Sequence, residues 1–161
     1  MSRLIWKRLG AEALAAFGEH LASRPEPERP RYGLVGVKAS WWSRLGGGAR
    51  PYVVLFVGDR VTLSKRSFRR HRELTRRDYR AGRLRRVAVR RGPLLESARF
   101  SFDDGWSVRV GGLPRGQAEP VAAWLGEGAG AFDPARLTRE QLSNTALACQ
   151  AMGLLPAGLL G

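Results

Sequence analysis

The most constraining feature of the sequence is a strict alternation of apolar and polar residues on both sides of a short turn signal, between residues 97 and 110. The apolar members of the alternation are Ala98, Phe100, Phe102, Trp106, Val108 and Val110. The turn signal is Asp103-Asp104-Gly105, whose glycine tolerates the positive φ that a tight turn requires. The pattern predicts a β-hairpin with one buried face.

Strand-like patterns also occur upstream of this hairpin. They cover residues 32–39, 52–57, 61–66 and 84–91. The segment 52–57 is apolar at every position, as expected of a strand whose two faces are both covered. Residues 67–82 are too highly charged for an assignment. The patterns favour about six or seven short strands in an antiparallel arrangement.

Three further segments have helical spacing of their apolar residues, namely 3–22, 114–127 and 138–152. In the second segment, Pro120 is compatible only with the first turn, so we expect that helix to begin near Gln117 or Ala118. In the third, Thr138 and Gln141 stand at the spacing of a capping box. Residues 23–31 contain three prolines and no apolar side chain other than proline, which indicates a linker.

The charge of the chain is concentrated in its middle. The chain has 28 Lys and Arg against 14 Asp and Glu, a formal net charge of +14. Residues 60–91 hold half of the basic residues and are opposed only by Glu73 and Asp78, so this window accounts for +12. A GC-rich genome would explain the preference for arginine over lysine, but not the clustering. Arginine binds phosphate through two parallel hydrogen bonds, and the window therefore indicates an anionic partner.

The order of these elements resembles the small bacterial pleckstrin-homology-like domains. The resemblance rests on ARFSFDDGWSVRV (98–110), on GLPRGQAEPVAAWL (112–125) directly after it, and on YVVLFVGDRVTLSKR (52–66) as a middle hairpin. It implies an α+β fold: a pleckstrin-homology-like (PH-like) antiparallel β-barrel or sandwich of six to seven strands, capped by a C-terminal helix, with additional N-terminal and C-terminal helices.

The resemblance covers about residues 32–127 and suggests four parts. These are an N-terminal amphipathic helix (1–22), a proline-rich linker (23–31), a PH-like β domain with its capping helix (32–127) and a C-terminal helical extension (128–161). Folds of this kind serve lipid binding, peptide binding and purely structural roles, so the fold alone does not decide the function.

In lipid-binding members of the wider superfold, basic residues near the loop between the first two strands hold phosphoinositide phosphates. The matching positions here are Lys38, Arg44 and Arg50, with a wider spacing than the usual close pair. With the first part of the basic window, the candidate phosphate-binding residues are Lys38, Arg44, Arg50, Lys65, Arg66, Arg69, Arg70 and Arg72.

Trp41 and Trp42 lie in the same glycine-rich loop. Amphipathic indole rings are favoured at a bilayer interface, which makes both residues candidates for membrane contact. The alternative is that at least one of them folds back over the core, because tryptophan is highly buried on average.

The sequence has no motif that predicts catalysis. It lacks a G-x-S-x-G nucleophile elbow and a G-x-x-x-x-G-K-[ST] phosphate loop. His20, His71 and Cys149 do not have metal-ligand spacing, so neither a metal site nor a cofactor is expected. Asp103 and Asp104 are explained by the turn.

We therefore expect a non-enzymatic binding module with an arginine-rich face for anionic partners, membrane phospholipid headgroups first. Sequence-nonspecific nucleic-acid binding and docking of an acidic protein partner by a scaffold or assembly protein are the alternatives, and a charged surface without a ligand is a further one. One cysteine and no apolar run of membrane-spanning length favour the cytoplasm. Lipid binding would then mean peripheral attachment at the inner face of the membrane.

Overall fold

Seven antiparallel strands form the framework in the computed structural model, which describes residues 9–38, 50–67 and 72–161. The order of strands in the sheet is β4-β3-β2-β1-β7-β6-β5. The strands are β1 (Pro30–Lys38), β2 (Arg50–Val57), β3 (Arg60–Arg66), β4 (Glu73–Arg80), β5 (Leu84–Arg91), β6 (Leu95–Phe102) and β7 (Ser107–Pro114). The two halves of the sheet meet where Val37 of β1 pairs with Gly111 of β7.

Three α-helices accompany the sheet within the described residues. They are α1 (Ala11–Ser23), α2 (Glu119–Glu127) and α3 (Arg139–Ala151). Short 3₁₀ turns occur at Glu26–Glu28, Ala81–Arg83 and Gly128–Phe132. None of the described helices has the length and apolar character needed to cross a membrane.

The predicted hairpin is confirmed as β6 and β7. Phe100 of β6 pairs with Val108 of β7, and Gly105 at the turn has φ of +86°. The amide of Phe102 donates to the carbonyl of Trp106 (3.0 Å), which closes the hairpin. The alternating apolar residues of both strands face inward and leave the polar residues on the outer face.

The main core lies between the curled sheet and α2. Phe100, Val110 and Leu34 are fully buried in it, and Val121 of α2 packs against them. The helix begins next to Ala118, as Pro120 predicts, and closes the inner side of the sheet after β7. The seven antiparallel strands, the capping helix and the flanking helices confirm the predicted α+β fold class.

A second apolar layer covers the outer face of β1 and β2. Helix α3 packs there, and the amide of Gly33 in β1 donates to Oγ1 of Thr145 (3.2 Å). A Cβ at Gly33 would lie 2.7 Å from Cβ of Ala148, so glycine permits this close packing. The predicted capping box of Thr138 and Gln141 is present at the start of α3.

Candidate anion-binding face

The sequence-predicted site residues fall into two groups. Five of them lie outside the described residues: Trp41, Trp42, Arg44, Arg69 and Arg70. The others are in or beside strands β1 to β4: Lys38, Arg50, Lys65, Arg66 and Arg72. The predicted site therefore remains a hypothesis, and the positions of its described members can be compared.

Three of these members are brought to one end of the sheet. Lys38 pairs with Arg50 across β1 and β2, and the exposed Arg50 begins β2. Two residues further along β2, Tyr52 is the partner of Lys65 in β3. Lys65 shares the inner side of the strand with Leu63, which is buried in the core.

The neighbouring Arg66 points to the opposite face of β3. Its Nη1 lies 3.4 Å from Oε2 of Glu73 and 3.2 Å from Oγ of Ser64, and it also approaches Sδ of Met152 at 3.4 Å. Its side chain is 13% exposed. Arg72 is exposed at the start of β4, where its carbonyl accepts from the amide of Ser67 (2.8 Å). Lys65 and Arg66 therefore lie on opposite faces of β3.

Arginines of the basic window on and after β4 also have partners. Nε of Arg76 donates to Oδ2 of Asp78 (2.9 Å), and Nε of Arg83 donates to Oδ1 of Asp103 (2.8 Å). Burial raises the pKa of Asp78, but hydrogen bonds from Arg76 and Thr62 outweigh burial and hold this pKa below its ordinary value. The carboxylates thus neutralise part of the charge that the sequence concentrates here.

Arg77 lies on the inner side of the same strand, beside an aromatic stack. Its guanidinium lies 4.4 Å from the ring centroid of Trp106, and Tyr79 stacks on Phe102 with ring centroids 4.0 Å apart. The hydroxyl of Tyr79 donates to Oδ2 of Asp104 (2.8 Å). Asp104 accordingly has two structural roles, since its Oδ1 also accepts from the amide of Trp106 (2.9 Å).

A different set of arginines gathers on the outer face of β5, β6 and β7. Val87, Phe100 and Val108 face the core, so the residues between them face outward. We call this outer surface the arginine–serine face; its members are Arg86, Arg90, Ser97, Arg99, Ser101, Ser107 and Arg109. None of the four arginines belongs to the predicted site, although two lie in the basic window.

Arg99 and Arg109 occupy the centre of the arginine–serine face. They are direct partners in the register of β6 and β7. Each reaches over a serine of the other strand: Nη2 of Arg99 donates to Oγ of Ser107 (3.0 Å), and Nη1 of Arg109 donates to Oγ of Ser97 (3.2 Å). The hydrogen bonds hold both guanidinium groups across the surface of the sheet.

The arginine–serine face has positive charge without local compensation. Among the described residues, none of its four arginines has an ion pair with a carboxylate. Burial first, and then the nearby charges of Arg90 and Arg99, lower the pKa of Arg109 from its ordinary value. Like charges directly opposite each other destabilise a sheet, so the pairing of Arg99 with Arg109 lowers the free energy of unfolding.

The contrast between two consecutive residues shows how alternation forms this face. Arg90 faces outward opposite Ser97. Arg91 faces inward, where Nη2 lies 3.1 Å from Oε1 of Glu119 and Nε lies 3.8 Å from Oε2 of the buried Glu96. The inward arginine therefore has a structural role, and the outward one remains available to a ligand.

One signal in the sequence indicated part of this face. Arg99 and Arg109 are polar members of the alternation that predicts the hairpin. The turn at Asp103-Asp104-Gly105 fixes their register and so places them opposite each other. The pairing of Arg90 with this surface depends on contacts between β5 and β6, and a count along the chain does not show it.

The chemistry of the arginine–serine face is that of an oxyanion receptor. Guanidinium groups and hydroxyl groups both donate hydrogen bonds to phosphate or carboxylate oxygens. In the described part of the chain, no three His, Cys, Asp or Glu residues are placed to hold a metal ion. The arrangement therefore fits the recognition of an anion.

Comparison with known proteins assigns no roles to the residues of this chain. No family model matches the chain, and no curated protein matches it. Among solved structures, the chain is similar to the pleckstrin homology (PH) domain of USP37, with 12% identity and a TM-score of 0.39. The match covers 62% of this chain and 94% of that chain. At this identity and TM-score, the likeness assigns no ligand to the arginine–serine face.

Proposed function

We propose that the protein is a non-enzymatic binding module that recognises the phosphate groups of anionic membrane phospholipids. In this proposal it is a cytoplasmic protein that attaches peripherally to the inner face of the membrane. The arginine–serine face makes the main contact, and the basic residues Lys38, Arg50 and Lys65 at one end of the sheet add to the attraction.

The observation that carries this proposal is the unpaired charge of four outward arginines on three adjacent strands. An anionic leaflet attracts each nearby Lys or Arg by about 1 kcal/mol at physiological salt. A surface of many headgroups can engage Arg86, Arg90, Arg99 and Arg109 together, whereas one small anion would contact only the central pair.

Nucleic acid is the less favoured partner for this surface. Proteins that bind single strands without sequence preference use aromatic side chains as stacking platforms. The residues of the arginine–serine face are arginine and serine, without an aromatic ring, and Trp106 and Tyr79 are engaged in the inner stack. Phosphate recognition therefore fits a headgroup layer better than a stacked strand.

A parallel titration distinguishes the partners. The full chain is mixed with vesicles of phosphatidylcholine alone, with vesicles containing a quarter of phosphatidylserine, and with mixed-sequence DNA and RNA oligonucleotides. We expect sedimentation with the anionic vesicles, little with the neutral ones, and weakening by salt. Equal binding to both vesicle types, no binding to vesicles, or tighter binding to the oligonucleotides would contradict the proposal.

Two double variants with the same loss of charge locate the contact. Arg99→Gln with Arg109→Gln neutralises the centre of the arginine–serine face. Arg60→Gln with Arg80→Gln is the matched control, because these two exposed arginines also face each other in the sheet. We expect the first pair to weaken binding to anionic vesicles by about thirtyfold and the control pair by much less.

A further inference from the structure

The hairpin between β5 and β6 has an apolar tip, defined here as Gly92, Pro93, Leu94 and Leu95. The side chain of Leu94 is 81% exposed and that of Leu95 is 38% exposed. No other large apolar residue in the described ranges is as exposed as Leu94, since Leu74 and Leu125 reach only 41% and 39%. Neither leucine of the tip belongs to a hydrophobic core.

The apolar tip is continuous with the arginine–serine face. Alternation along β6 places Leu95, Ser97 and Arg99 on the same outer side of the strand. Arg90 lies at the end of β5 next to the tip, and the exposed Arg115 follows Pro114, the register partner of Leu95. The two leucines therefore adjoin an outer surface that carries Arg90 and Arg99.

The backbone of the apolar tip is suited to leaving water. The amide of Gly92 donates to the carbonyl of Leu95 (2.7 Å), and Pro93 has no amide hydrogen. Unsatisfied backbone groups oppose entry into an apolar medium, and these features remove two possible donors. These two groups therefore do not oppose entry of the tip into a bilayer interface.

We propose that Leu94 and Leu95 insert into the boundary between headgroups and acyl chains while Arg90, Arg99 and Arg109 bind the surrounding phosphates. This inference rests on the proposed function and adds the orientation of the protein on the membrane. The bilayer is the partner proposed for the tip because apolar side chains beside a cationic face match a surface that is apolar below and anionic above.

Labelling at two cysteines tests the insertion. Cys149 is buried and its pKa is raised by burial to about 12, so an introduced cysteine is the reactive one at neutral pH. Leu94→Cys carries an environment-sensitive fluorophore at the tip. Gly82→Cys is the matched control at the other end of β5, roughly 25 Å away along the strand, where a Cβ meets no atom within 4 Å.

We expect vesicles containing a quarter of phosphatidylserine to shift the Leu94→Cys fluorescence to shorter wavelength and a quencher on the lipid chains to reduce it. The Gly82→Cys label should show neither change. If the protein sediments with these vesicles while the Leu94→Cys label stays in water, the insertion is wrong and the proposed function stands. No sedimentation would overturn both. Insertion into neutral vesicles with equal affinity would overturn the proposed electrostatic attraction. The proposed insertion of the apolar tip would still stand.

A pair of leucine variants gives the second readout. Leu94→Ser with Leu95→Ser should weaken binding to the anionic vesicles by about tenfold, since two partly buried leucines are lost from the bilayer. The control Leu74→Ser with Leu125→Ser should leave binding unchanged. Equal effects of the two pairs would contradict insertion. A shift of the Leu94→Cys label with protein concentration alone would also contradict it, by showing that the tip docks on a second copy of the chain.

Discussion

Two outer surfaces of the sheet are rich in arginine, but they differ in whether carboxylates lie among the arginines. Within the described residues, the surface of β3 and β4 has four outward arginines, as does that of β5 to β7. The first set is Arg60, Arg66, Arg76 and Arg80, and the second is Arg86, Arg90, Arg99 and Arg109. Asp78 and Glu73 lie among the first set, whereas no carboxylate pairs with the second.

Arginines that pair with carboxylates, as on β3 and β4, support the fold. Arginines that face like charges, as on β5 to β7, oppose it. On β3 and β4, Glu73 and Asp78 also accept hydrogen bonds from Ser64 (2.9 Å) and Thr62 (2.6 Å), so Arg66 and Arg76 belong to a connected network, while Arg60 and Arg80 face each other across the register. On β5 to β7, the side chains of Arg99 and Arg109 donate to serine hydroxyls. A cluster that lowers stability is expected where a protein keeps a surface for binding.

The largest effect should come from reversing the charge at the centre of the arginine–serine face. Arg99→Glu with Arg109→Glu should weaken binding to vesicles containing phosphatidylserine by about a thousandfold at low salt, because four units of charge change near the leaflet. Sedimentation measures the affinity. The same reversal at Arg60 and Arg80 should cost less than about tenfold. Equal losses in the two double variants would show that only net charge matters.

A smaller effect should follow when the surface of β3 and β4 loses its carboxylates and so resembles the arginine–serine face. Glu73→Gln with Asp78→Asn removes the carboxylates beside Arg66 and Arg76 and keeps the side-chain shapes. The affinity for anionic vesicles should rise several-fold, at most about tenfold, because the released arginines add positive charge. An unchanged affinity in a variant that remains folded by circular dichroism would mean that the carboxylates do not account for the difference between the surfaces.

The smallest effects are on stability, and they should have opposite signs. Arg109→Gln relieves the repulsion with Arg99 and should raise the free energy of unfolding by about 0.5 kcal/mol at low salt. Asp78→Asn breaks the pairing with Arg76 and should lower it by about 0.5 kcal/mol. Urea unfolding measures both. A loss of stability in both variants would mean that Arg109 is held by favourable contacts and not for a ligand.

The pH dependence of the free energy of unfolding provides a control for Asp78→Asn. Because the folded protein lowers the pKa of Asp78, the contribution of this carboxylate is complete above the ordinary range of aspartate. It is lost as the pH falls through the lowered pKa. The acid-dependent loss of stability should therefore be smaller in Asp78→Asn than in the wild-type protein.

The fold could be predicted well because its main signals are local. The hairpin of β6 and β7 depends on alternation around Gly105, the start of α2 on Pro120, and the start of α3 on the capping box of Thr138 and Gln141. Each signal lies within about a dozen residues. The packing of α3 over Gly33 was not predicted, because it joins segments more than a hundred residues apart.

The candidate site could be predicted only in its chemistry. The basic window indicated arginine and an anionic partner, but the arginine–serine face is assembled from three strands, and two of its arginines lie outside the window. The pairing of Arg66 with Glu73 depends on β4, in a segment too charged to assign from sequence. Register between distant strands, and not composition, therefore decides which arginines remain unpaired.

The most direct test observes the guanidinium groups of both surfaces in one sample. Nuclear magnetic resonance of the arginine Nε–H groups would be recorded while short-chain phosphatidylserine is added to the full wild-type chain. The signals of Arg90, Arg99 and Arg109 should shift first, while those of Arg66 and Arg76 stay in place. Shifts at Arg66 and Arg76 with none at Arg99 and Arg109 would contradict the assignment of the arginine–serine face as the binding surface.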